Sequence, residues 1–470
     1  MGRLELHPDR ALPAEPGVRA IARRLYARTA GLPLVCMHGH VDAAVLAADA
    51  PFPDPAQLLV VPDHYVTRML MSQGVAPARI GVPGGDAPTE TDPRAIWRLF
   101  CAHWHLYRGT PSRYWLEHEL AEVFGVTETP DATSADRIYD RIAAALERPE
   151  FRPLALLDRF GIELLATTDP ATSDLAAHAT LAAAGYRDRI VPTFRPDAVV
   201  HPARAGWAAD VDRLGRLAGV DTSTYAGYLE ALRRRRLAFA DAGALATDHG
   251  HDTAETAPLP EEEAARLFAA GRAGDVTPAQ SRAFAAHMLF QMARMSCADG
   301  LVMQLHPGVL RDHSDRIAAA HGPDRGFDIP VAAEFTRALR PVLQAFGHDP
   351  AFRLILFTVD ETVYSRELAP LAGAYPSVRL GAPWWFLDSP DGMRRFREAA
   401  TETAGFFNTS GFVDDTRAFA SIPARHDLSR RIDAGYLARL VAEHRLDEEE
   451  AADTAAALAY DLPRDAYRRR

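Results

Sequence analysis

Short apolar runs, each followed at once by polar residues, recur along the chain. In order they are "LPLVCMHGH" (32–40), "IELLATTD" (162–169), "RIVPTFRPD" (189–197), "GALATDHG" (243–250), "LVMQLHPG" (301–308), "LILFTVDE" (354–361), "SVRLGAPWWF" (377–386) and "GFFNTSGFVDD" (405–415). Their length and near-continuous apolarity suit strands buried on both faces. Helical periodicity fills the gaps, as in "SDLAAHATLAAAG", "QSRAFAAHMLFQMARMSCADG" and "DGMRRFREAATETAG". Eight such strands alternating with helices predict an α/β fold, a closed (β/α)8 barrel. A doubly wound open sheet is the rival, but no strand is followed by its glycine-rich turn.

The predicted strand ends carry His38, His40, Asp169, Arg195, Asp248, His306, Asp360, Trp384 and Asp415. In a barrel of this kind the carboxyl ends of the strands are where chemistry collects. The pattern divides the chain into four parts. Residues 1–49 hold an N-terminal helix and the first strand, and 50–155 form a mostly helical insertion over the barrel mouth. Residues 156–426 supply the other strands and helices, and 427–470 form a charged helical tail.

Composition narrows the function. The chain has 470 residues, enough for a large core, with 48% hydrophobic and 24% charged residues. No apolar run reaches the ~18 residues of a membrane span, and the first residues lack a signal-peptide core. Cys36, Cys101 and Cys297 are widely separated and form no CxxC pair, which suits a reducing cytoplasm. A net charge of −11 disfavours nucleic acid and anionic membrane as partners. The one basic run, Arg233 to Arg236, reads as a solvated helix face. No lysine occurs; all 52 basic residues are arginine. Side-chain Schiff bases, a P-loop lysine and a metal-bridging carbamylated lysine are therefore excluded.

Three histidine pairs have HxH spacing: His38/His40, His103/His105 and His249/His251. Residues i and i+2 of a strand share a face, so His38 and His40 point into the barrel if the first strand lasts that far. Gly39 between them permits close backbone packing. His103 and His105 lie in a helical pattern, roughly 200° apart, and cannot share an ion. His249 and His251 follow a strand and remain a rival pair. With His306 ending the fifth strand and Asp415 the eighth, imidazoles plus a carboxylate make a ligand set for one divalent ion with an open position, zinc above all.

The order of several longer segments resembles the uronate isomerase (glucuronate isomerase) family of amidohydrolase-type barrels. They are "HGHVD" (38–42), "DHYVTRMLMSQGV" (63–75), "TTD" (167–169), "PTFRPD" (192–197), "TDHG" (247–250), "VMQLHPGVLR" (302–311), "WWFLDSPDGM" (384–393) and "DDTRAFASIPARH" (414–426). The resemblance implies reversible isomerisation of an open-chain aldose acid, D-glucuronate, to its ketose acid, with D-galacturonate as a further substrate. It also implies a small-molecule uronic acid as partner and is compatible with a homo-oligomer.

Aldose–ketose exchange through an enediol needs a base at C2, a proton donor for the carbonyl oxygen, a stabiliser of the enediolate and a cationic pocket for the carboxylate. The family pattern makes Asp415, two before Arg417, the base, with Arg417 steadying the oxyanion; Asp414 is the alternative carboxylate. A buried Asp–Arg pair closing the barrel is the bland reading. Arginine and a metal both lower the basicity of a carboxylate, so a metal-bound Asp415 would be a weak base and the metal need not be essential. Tyr65 is the proton donor or shuttle, assisted by His64. Arg195 pairs with the substrate carboxylate, and Arg311 is a second candidate. Trp384 and Trp385, pointing opposite ways, put one ring on the sugar and one in the helix layer. Asp248 holds a sugar hydroxyl or caps a helix, and His306 joins the substrate contacts.

The segments Val359-Asp360-Glu361, Gly381-Ala382-Pro383 and "NTSGFVD" depart from the family pattern, which leaves the outer pocket and substrate scope open. A mononuclear metal-dependent hydrolase on the same barrel and a non-catalytic sugar-acid binder are the rival functions.

Overall fold

A computed structural model describes residues 2–469 of the chain. Seven staves of a parallel barrel follow the predicted runs: β1 (Leu34–Cys36), β2 (Ile162–Ala166 resuming as Asp169–Pro170), β3 (Ile190–Val191 resuming as Phe194–Arg195), β4 (Ala246–His251), β5 (Val302–Pro307), β6 (Leu354–Leu356) and β7 (Val378–Leu380). Each pairs in parallel with the next, from Val35 beside Leu164 round to Leu354 beside Val378. The eighth run, 405–415, is not a regular strand. Gly405, Gly411 and Asp415 have positive φ (71°, 71° and 42°), which extended backbone does not accommodate. It still closes the barrel: Leu380 N donates to Asn408 O and Ser410 N to Leu380 O on one side, Asp415 N to His38 O and His40 N to Thr416 O on the other.

Alternation along the staves sorts side chains. Val35, Ala246, Val302 and Ile355 join one apolar cluster inside the barrel, whereas Leu34, Cys36, Leu354 and Leu356 face the surrounding helices. Each fully buried aliphatic chain of this kind contributes about 1.5–3 kcal/mol. Tyr467, fully buried, donates to Gln304 Oε1 at 2.8 Å and so ties the C-terminal segment to an inward residue of β5.

The helices are delimited by local chemistry. Helix Pro278–Asp299 has proline in its first turn, a Thr277/Gln280 capping box and Gly300 at φ 74° past its end. Between β1 and β2 lie seven α-helices: Ala43–Ala48, Pro55–Leu59, His64–Ser72, Pro93–Ala102, Pro111–His118, Ala135–Leu146 and Pro153–Arg159. Trp97, Phe100, Ile138 and Leu156 of this segment pack with Leu34, Cys36 and Leu165, on the outer face of β1 and β2. The N-terminal helix Pro16–Thr29 packs with Ile422–Ala442 and Glu448–Ala456 through Ala22, Leu25, Leu437 and Ala451.

The basic run departs from its sequence reading. Arg233 and Arg234 are solvated, but Arg235 donates to Ala171 O and Ser173 O, and fully buried Arg236 donates to Asp299 and Ser296. Four consecutive helical positions span more than one face, so the helix Tyr225–Asp241 must turn two of them inward.

Candidate active site

At the carboxyl end of the barrel lies a cavity of about 240 Å³. The residues preferred above as catalytic, substrate-binding or metal-ligating all line it, whereas the alternatives Asp414, His249 and His251 do not: His38, His40, His64 and Tyr65 from the first stave and its following segment; Arg195, Asp248, His306 and Arg311 from the middle staves; and Trp384, Trp385, Asp415 and Arg417 from the last two. Asp63, Asp324 and Thr416 complete the wall.

His38 and His40 converge on one oxygen. Their Nε2 atoms lie 3.3 and 3.1 Å from Asp415 Oδ1. The route differs from simple alternation, because the strand ends at Cys36 and both Met37 and His38 turn inward. The positive φ of Asp415 likewise turns it to the cavity while Asp414 faces away, 3.3 Å from His426 Nε2. One ligand-type atom from each of His38, His40 and Asp415 falls within 4.8 Å of the others, as does one from each of His38, Asp248 and His306. Two imidazoles and a carboxylate fit a divalent ion.

Electrostatics here are set by burial against close partners. Burial opposes charge on Asp415, but His38 and His40 outweigh it and hold the carboxyl well below its usual range. Burial likewise opposes charge on His38, where Asp248 and Asp415 win and raise it; His40, where burial wins, is lowered. Asp248 is fully buried, yet Arg195, His306 and His38 keep it well below the usual carboxylate range. It stands mid-strand on β4, so it is not a helix cap. Its oxygens lie 2.7 Å from His306 Nδ1 and 3.1 Å from Arg195 Nη1, but neither contact is aligned as a hydrogen bond. Both Asp248 oxygens, both His306 nitrogens, His38 Nδ1 and His64 Nδ1 are buried polar atoms that make no aligned hydrogen bond. Such atoms are costly unless a ligand meets them.

Tyr65 lies in the first turn of helix His64–Ser72, held by the Asp63 cap, which accepts from Tyr65 N at 2.8 Å. Its hydroxyl donates to Asp388 at 3.3 Å, and Asp388 accepts from Arg425 at 2.9 Å. Burial pushes Asp388 up to about 7, although Arg425 opposes the shift. Burial also raises the Tyr65 hydroxyl, and lowers His64 to about 3, so that imidazole is neutral. The Arg425 guanidinium lies over the Trp115 ring at 3.6 Å. Asp388 and Arg425 were missed by sequence reasoning although both stand inside recognised segments, "WWFLDSP" and "SIPARH". Their tie to Tyr65 spans more than 300 positions.

Arg195 donates through Nε to Asp197 at 2.7 Å, which leaves its terminal N–H groups unused by an aligned bond. Arg311 donates to Asp328 at 2.7 Å and lies over the Trp385 ring, and Arg417 donates to Asp324. Trp384 and Trp385 both face the cavity, not opposite sides, because Trp385 has φ 48° and begins a 3-10 turn. Asp169 and Asp360 stay out of the cavity; the first accepts from Thr167 and the second caps the turn at Thr362. His103 and His105 flank the end of helix Pro93–Ala102 rather than sharing one helix, and also lie outside the cavity.

The sequence profile of the glucuronate isomerase family matches residues 18–465. The chain belongs to the glucuronate isomerase family. Among curated relatives, a uronate isomerase of Rhizobium meliloti (strain 1021) is 56% identical over 464 residues, covering 98% of this chain and 99% of the relative. One from Rhizorhabdus wittichii is 57% identical over 465 residues, covering 99% of each. The crystal structure of glucuronate isomerase from Caulobacter crescentus superposes with a TM-score of 0.97 at 50% identity, covering 99% of this chain and 97% of that one. That of a uronate isomerase from Thermotoga maritima gives 0.92 at 28% identity, covering 98% and 99%. The family fold is thus the α/β barrel expected from the strand pattern. No helix among the described residues is long and apolar enough to cross a membrane.

Proposed function

We propose that the protein is a uronate isomerase that interconverts D-glucuronate and D-fructuronate, with D-galacturonate and D-tagaturonate as a second pair. The observation that carries this reading is the convergence in one cavity of Asp415, Tyr65, two first-strand imidazoles and three arginines, in a chain of this family.

The open-chain substrate binds with its carboxylate on the terminal N–H groups of Arg195, and Arg311 adds a second cation at the rim. Asp248, His306 and the Trp384 and Trp385 rings take the hydroxyls and the carbon chain. The Asp415 carboxylate removes the proton from C2. Tyr65 protonates the carbonyl oxygen at C1, giving the enediol, and Arg417 offsets the developing negative charge. Asp415 then returns its proton to C1 while the hydroxyl at C2 gives its proton back to Tyr65, which leaves the ketose. The depressed basicity of Asp415 makes the reaction depend on Tyr65 and Arg417, because C2–H becomes acidic only as charge on the carbonyl oxygen is neutralised.

His38, His40 and Asp415 would hold one divalent ion, and the nitrogen-rich donor set suits zinc. When bound, that ion would supply positive charge that favours the enediolate over the neutral substrate. The three isolated cysteines and the sugar-acid substrate support a cytoplasmic setting.

The test is to incubate purified protein with D-glucuronate in D₂O and follow by NMR ketose formation, deuterium at C1 of the ketose and deuterium at C2 of the recovered D-glucuronate. Ketose with deuterium incorporation is expected. A folded protein that gives neither product nor exchange is not an isomerase of this substrate.

A further inference from the structure

The third histidine pair, His249-Gly250-His251, is left over by the site above. Asp248 faces the barrel interior, so His249 and His251 lie on the opposite, outer face of β4. There they meet the segment that follows β3. One ligand-type atom from each of Asp197, His249 and His251 lies within 4.8 Å of the others. The His201 ring stands beside them, 4.7 Å from that of His251.

Two features separate this cluster from ordinary core packing. His249 is completely buried and His251 is 7% exposed, yet His249 Nδ1 and His251 Nε2 have no hydrogen-bond partner. Leaving one such group unpaired is costly, and here two sit beside a carboxylate. In addition, His249 Nε2 is 2.9 Å from Thr247 Oγ1, the kind of outer contact that fixes the orientation of a ligating imidazole.

We propose that Asp197, His249 and His251, with His201 beside them, form a second divalent-cation site on the outer face of β4, of the nitrogen-rich type that takes zinc. Asp197 also accepts from Arg195 Nε at 2.7 Å and from Gly250 N at 3.1 Å. An ion here therefore shares a carboxylate with an arginine of the cavity, and its occupancy is linked to the seating of that guanidinium.

The experiment uses untagged full-length protein, stripped with a chelator, loaded with Zn²⁺ alone, dialysed and assayed for zinc per chain by elemental mass spectrometry. The His38→Asn/His40→Asn variant, its fold checked by circular dichroism, is expected to retain one ion. Adding His249→Asn and His251→Asn should remove it. No zinc in the first variant, or the same amount in the second, overturns the proposal. Should the first variant not fold, His251→Asn alone is compared with the wild-type chain. A capacity lower by one ion supports the site and an unchanged capacity refutes it. None of these readouts depends on turnover, so failure of the isomerase reading would be seen separately.

Discussion

Gly250→Ala separates substrate seating from folding. A Cβ built on Gly250 would stand 2.6 Å from Arg195 Nη2 and 2.9 Å from Asp197 Oδ2. The backbone tolerates alanine, since Gly250 does not have positive φ. Both obstacles are side-chain ends, so the chain relieves the clash by moving them rather than by deforming β4. Bringing Nη2 from 2.6 Å to the 3.4 Å of ordinary contact moves it by about 0.8 Å. A charged hydrogen bond near 2.9 Å is lost over such a displacement. Its worth, about 1.5–3 kcal/mol, corresponds to a KM for D-glucuronate raised about 10- to 100-fold, because 1.4 kcal/mol is tenfold. The lost contact holds ground state and transition state alike, so kcat should be nearly retained. Stability should change little, because alanine is favoured over glycine within a strand by about 0.5–1 kcal/mol. Steady-state kinetics and a thermal melt read both quantities, with Arg195→Lys as the comparison. An unchanged KM in folded Gly250→Ala would refute the assignment of Arg195 to the substrate carboxylate.

Further outcomes follow from the same geometry. Asp415→Asn should lower kcat about 10²- to 10⁴-fold, the usual contribution of a general base, with the circular dichroism spectrum retained; near-normal turnover would remove Asp415 from its role. Asp388 is raised to about 7 by burial from a reference value of 3.8. The native state therefore holds a proton that the unfolded chain releases, and this group's contribution to stability is full below pH 4 and lost as pH rises to 7. Its slope approaches about 1.4 kcal/mol per pH unit. Denaturant melts of Asp388→Asn should show a shallower decline across that window than the wild type, and parallel curves would contradict the raised value. Exhaustive chelation should reduce turnover, and Zn²⁺ should restore it. Full activity in metal-free protein would make His38 and His40 polar substrate contacts instead.

The residues of the cavity were legible because barrel geometry is written in one dimension. A run that is apolar throughout must be covered on both faces, and the polar residue ending it must emerge at the mouth; His306 and Asp248 follow this rule directly. The rule weakens where backbone conformation departs from extended. Trp385 and Asp415 have positive φ, so alternation misplaced the tryptophan pair, and the choice of Asp415 over the adjacent Asp414 as the base came from family likeness. The ties of Tyr65 to Asp388 and of Asp388 to Arg425 have no local signature, because each partner has an ordinary appearance in its own segment.

The sequence by itself determined the alternating α/β class, the absence of lysine chemistry and the residue types available at each strand end, since these depend on periodicity and composition along the chain. Only the tertiary structure decided that an irregular eighth segment closes the barrel, that both tryptophans face the substrate space, and that His249 and His251 look outward beside Asp197. Those outcomes depend on which distant backbones meet when the sheet curls shut, and a local pattern does not encode its partner.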